Sequence, residues 1–134
     1  MTVLTTSRTA TDWLLRTAMR ADAILTGLAG VAALPLAGWL AEVSGTTTAI
    51  EYSLAAFFIG YGVVVFALST LPSVRRAGPV VIAANVAYTV AAVAVVVTDV
   101  WTMTTLGVVL TLATGVYTLV FAELQYVGWR RMTR

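Results

Sequence analysis

Four long apolar runs, joined by connections too short to hold structure of their own, limit what this chain can fold into more than any other feature. A helix needs about 20 apolar residues to cross the ~30 Å hydrocarbon core of a bilayer. Spans are accordingly expected at about 21–40, 49–71, 79–98 and 105–127. Inside lipid every backbone polar group must be bonded within the protein, so such runs are helices. Connections as short as VSGTTT and PSVRRAGP make consecutive helices antiparallel neighbours. The sequence therefore predicts an all-α, transmembrane up-down-up-down four-helix bundle, with residues 1–134 as a single integral membrane domain.

The charges set the threading. All eight basic residues are arginines: Arg8, Arg16 and Arg20 precede the first run, Arg75 and Arg76 lie between the second and third, and Arg130, Arg131 and Arg134 follow the fourth. The other two connections carry or adjoin Glu42, Glu51 and Asp99. Arginine-bearing loops stay cytoplasmic during insertion, so both termini are expected inside, in a multi-pass protein of the cytoplasmic membrane. A net charge of +2 fits membrane-flanking anchors better than a nucleic-acid partner, and none is expected. Hydrophobic residues make up 60% of the chain and charged ones 10%, against about 25% charged in soluble domains.

Residues 11–20 (TDWLLRTAMR) read as a short helix capped by Thr11, lying in the cytoplasmic interface with Trp13 at headgroup level. The alternative is that they lengthen the first span. That span is longer than the 7–15 residues usual for a signal-peptide core, so its retention is expected. Pro35 is expected to kink its outer half.

Small residues recur at helical spacing: Ala23, Gly27 and Gly30 in the first span, Gly60 in the second, and Ala84, Ala87 and Ala91 in the third. Small side chains let helices approach closely where lipid removes the hydrophobic drive, so these are the expected packing positions. The fourth span carries a polar stripe instead, Gly107, Thr111, Thr114, Thr118 and Gln125.

Ionisable residues within spans are costly and need partners. Counted at about 1.5 Å per residue, Asp22 and Glu123 fall near the inner boundary, level with Arg20, Arg76 and Arg130, with Asn85 beside them. Two readings stay open: an ion-pair collar that fixes packing, or a polar vestibule. Tyr61, Tyr88, Thr114 and Thr118 lie nearer the midplane, either as interhelical glue or as the lining of a pocket or solute path. With no Cys, His or Lys, the chain has no disulfide, thiol chemistry, imidazole-ligated metal or Ser-His-Asp triad. Phosphate-loop and zinc signatures are absent too, so neither a cofactor, a metal nor a catalytic residue is expected.

The segments RADAILTG, FFIGYG, VIAANVAY and ELQYVGWRR give the chain a resemblance, over Arg20–Arg131, to small four-helix membrane proteins of high-GC bacteria. That resemblance implies the fold and brings no activity. The central first-helix carboxylate of small multidrug transporters is missing, since Asp22 is expected at the periphery. The function expected from sequence is non-enzymatic: an interaction or accessory component of a membrane complex, in contact with membrane lipids and either a homo-oligomer or part of a larger assembly. The alternatives are an oligomeric channel or transporter for a small solute, and a lipid- or hydrophobic-ligand-binding protein.

Overall fold

A computed structural model describes the backbone of residues 2–133 and side chains from Asp12 to Met132. The chain forms four helices, α1 (Thr2–Ser44), α2 (Thr48–Ser69), α3 (Ala77–Thr98) and α4 (Thr105–Thr133), with no strand among the described residues. All four are long and apolar enough to cross a membrane. They form an antiparallel bundle in which α1 packs on α2 and α4, and α3 packs on α4. In contrast, α2 and α3 barely touch. That gap positions the site described below.

The expected boundaries hold for α2 and α3 to within two residues at each end. The first span differs. No break separates residues 11–20 from it, and α1 is continuous over 43 residues, about twice the length a bilayer core requires. The reason is packing: Leu15, Ala18 and Met19 are buried, and Leu15 and Met19 join Val74, Ala77 and Val81 in a small core with Trp129 and Met132 against it. An apolar face that finds a protein surface has no need of the lipid interface. The expected cap at Thr11 lies outside the described side chains, as do Arg8 and Arg134. Pro35 sits inside α1, which continues past it to Ser44.

Local chemistry explains the helix ends. Gly45 takes a φ of +74° after α1, and its N–H and that of Thr46 both bond to the Ala41 carbonyl. Thr47 then caps α2, its hydroxyl accepting from Ile50 N–H at 3.2 Å. At the other end of α2, Arg16 donates to the carbonyls of Ser69, Leu71 and Pro72 at 2.9, 2.6 and 2.9 Å. These are carbonyls that α2 cannot satisfy itself, at the negative end of its dipole. Trp129 similarly ties α4 to the α2–α3 connection through the Arg75 carbonyl at 3.1 Å.

The close approaches use two of the three glycines expected, Gly27 and Gly30, together with Gly62 in place of Gly60. A Cβ on Gly62 would meet the Ala23 carbonyl oxygen at 2.7 Å and Gly27 Cα at 2.9 Å, and one on Gly30 would meet the Ala55 carbonyl at 2.7 Å. So Ala23, Gly27 and Gly30 do lie at the α1–α2 seam, the first two against Gly62 and Gly30 against Ala55 and Ile59. Gly60 faces open space and is exposed. On α3 the buried face is Ala77, Gly78, Val81, Asn85 and Ala92, while Ala84, Ala87 and Ala91 are exposed. Alanines occur all round this helix, so small-residue spacing cannot choose its face.

Candidate functional site

Asp22 is fully buried, with 0% exposure, and is held by side chains from all four helices. Its Oδ2 accepts from the Tyr61 hydroxyl at 2.6 Å, from Asn85 Nδ2 at 3.0 Å and from Gln125 Nε2 at 3.0 Å. Its Oδ1 accepts from the Thr26 hydroxyl at 3.0 Å, with the Tyr117 hydroxyl at 3.3 Å. A further bond from Asn85 Nδ2 to Gln125 Oε1 at 2.9 Å links α3 to α4, and Thr26 and Tyr117 share one at 2.9 Å. A carboxylate removed from water needs such donors, because leaving it bare in an apolar interior costs several kcal/mol.

Two expectations about this carboxylate are corrected. It does not sit at the rim of the bundle: Tyr61 lies about 12 Å of helix from the Ser69 end of α2, and Asn85 about 12 Å from the start of α3. Nor is it held by Arg20 or Arg76 among the described residues. Arg20 instead reaches the Ser69 hydroxyl and carbonyl at 3.4 Å, Arg76 is exposed at the start of α3, and Arg130 donates to the Tyr126 hydroxyl at 2.9 Å. Glu123 is exposed and does not join the network. It precedes Gln125 by two residues, roughly 200° around a helix with 3.6 residues per turn, so the two face opposite ways. Arg16 forms a local ion pair with Asp12, one helical turn away, at 2.9 Å.

Beyond this polar floor lies a cavity of about 520 Å³, lined by all four helices and lying where α2 and α3 stand apart. Thr26, Tyr61, Asn85 and Tyr117 of the Asp22 network form part of its wall. Leu54, Ala55, Ala84, Ala91, Val95 and Leu110 make much of the rest apolar. Ser44, Thr46, Glu51, Trp101 and Met103 line it at the end opposite the chain termini. From Glu51 to Tyr61 the lining follows about 15 Å of α2. Towards the termini, Leu15, Met19, Val74 and Val81 close the bundle behind Asp22.

All four expected midplane residues line this cavity. Tyr88 donates to Thr114 at 3.0 Å, and Thr118 shares a 2.7 Å bond with Thr89, which also donates to the Gly115 carbonyl at 2.9 Å. These bonds zip α3 to α4. Across the gap, Tyr88 lies 6.5 Å from Phe57 with nearly parallel rings and 5.9 Å from Phe58, so aromatic contacts bridge α2 and α3 where backbones do not meet. Thr26, Tyr117 and Gln125 complete the network without having been singled out as partners of Asp22. The spacing of Asp22 and Thr26, one helical turn apart, was the available signal.

No protein-family model, curated protein or solved structure matches the chain. Fold and site therefore define its class: a multi-pass, four-helix membrane protein. Within that class it carries a buried carboxylate network at the floor of an apolar cavity.

Proposed function

We propose that this protein binds a lipophilic small molecule in the cavity between α2 and α3, and that it does so without catalysing a reaction. The cavity itself carries the proposal. Its volume lies within the roughly 300–1,000 Å³ of ligand pockets, its walls are apolar and aromatic, and a few polar groups converge at one end. The sparse contact between α2 and α3 supports entry sideways from the bilayer. If the arginine-bearing end is cytoplasmic, as expected from the charge bias, the Glu51 end of the cavity lies towards the outer leaflet.

Native mass spectrometry after gentle detergent extraction tests this reading. Wild type should retain one lipophilic molecule of defined mass, and Ala91→Trp, which places bulk in the cavity wall, should retain much less. Equal occupancy in a folded variant would contradict it. A second reading, a subunit that packs against another membrane protein, draws support from Gly38 and Gly60, which both face open space. The same spectra report any second chain.

A further inference from the structure

We infer that the cavity, taken as the binding site proposed above, selects lipophilic cations, with Glu51 as their counter-ion. Among the described residues lining it there is no arginine, and Glu51 is the one charged group. Glu51 is 9% exposed, and its Oε1 accepts a 2.6 Å bond from the Thr46 hydroxyl. That hydroxyl and the positive end of the α2 dipole, in whose first turn Glu51 lies, are its complement within the chain, and neither supplies a full opposite charge.

Asp22 does not compete for that role. It receives donors from Thr26, Tyr61, Asn85 and Gln125, with the Tyr117 hydroxyl also within reach, which fill the roughly four lone-pair sites a carboxylate offers. Glu51 has oxygen capacity left, and the cavity wall lies beside it. The aromatic lining points the same way. Phe57, Phe58, Tyr61, Tyr88 and Trp101 line the cavity, and the negative quadrupole of an aromatic ring attracts a cation within about 6 Å. An anionic amphiphile of the same size meets this lining with the wrong charge. A neutral one gains the apolar contacts and brings Glu51 no counter-charge.

The test uses the full chain in phosphatidylcholine nanodiscs and equilibrium dialysis, with protein-free nanodiscs subtracting bulk partition. The probes are tetraphenylphosphonium and tetraphenylborate, ions of similar shape and opposite charge, with diphenylhexatriene as a neutral lipophile. Wild type should bind the cation at least about tenfold more tightly than the anion. Glu51→Gln keeps an acceptor for Thr46 and should weaken cation binding about tenfold while leaving the neutral probe unchanged. Equal affinity for the two ions overturns the assignment, as does a Glu51→Gln loss shared equally by cation and neutral probe. Binding of the neutral probe without the cation overturns it too, yet leaves the cavity as a binding site. No binding of any probe overturns both.

Discussion

Tyr61 of α2 donates a 2.6 Å hydrogen bond to Oδ2 of Asp22 on α1, the shortest of the bonds that hold this carboxylate. The same tyrosine lines the cavity, so one side chain joins the floor of the site to its wall. Removing its hydroxyl should loosen both. Tyr61→Phe is expected to lower stability in detergent by about 1–2 kcal/mol, the upper range for an interhelical bond in a membrane protein. Asp22→Ala should cost more, about 3–5 kcal/mol, because Asn85 and Gln125 then lose their buried acceptor. Thermal unfolding followed by circular dichroism ranks the two; an unchanged midpoint for Asp22→Ala would remove the network from the account.

The α1–α2 seam gives a sharper test of packing, since the two glycines of FFIGYG face opposite environments. Gly62→Ala places a methyl 2.7 Å from the Ala23 carbonyl and should destabilise by about 1–3 kcal/mol. Gly60→Ala enters open space and should be neutral or slightly stabilising, as alanine favours the helix. Equal midpoints for the two variants would contradict the seam.

Much of the fold was legible because hydropathy and span length answer to the bilayer alone, and a run such as 79–98 can be read without knowing its neighbours. Faces were less legible. On α3, Ala83, Ala84, Ala87, Ala91, Ala92 and Ala94 offer small residues on several sides, and the buried face is marked by Asn85 instead. The site was half legible. Asp22 and Asn85 could be singled out as polar residues in apolar runs, but their depth was counted from an assumed boundary at Ala21. Because α1 extends further and its Leu15–Met19 turn is buried, that boundary does not exist in the helix. Tyr117 and Gln125 come from the far end of the chain, and no local pattern announces a contact 95 to 103 residues away.

Arg16 should matter more than its position near the chain start suggests. It satisfies three carbonyls around the end of α2 and pairs with Asp12. Arg16→Gln should cost about 1–3 kcal/mol, less than three buried bonds would give, because the end of α2 is partly wet. Denaturation at high and low salt checks this, with the gap between wild type and variant narrowing at high salt. A gap that widens would contradict it.

The threading expected from the arginines has its own test. Reporter fusions after Arg76 and Arg134 should read cytoplasmic, and insertions at Gly45 or Thr102 external. One external reading at Arg76 would reverse the threading of every span.

Photolabelling in native membranes tests the proposed binding site most directly. A neutral long-chain alcohol carrying a diazirine reaches every lipid-facing surface, so saturable labelling separates a site from bulk lipid. The account predicts labels on Phe57, Tyr88 and Ala91 that unlabelled competitor removes, and unsaturable background labelling on Val64 and Val97 of the outer faces. Uniform labelling that competitor does not change, at cavity and outer residues alike, would contradict it.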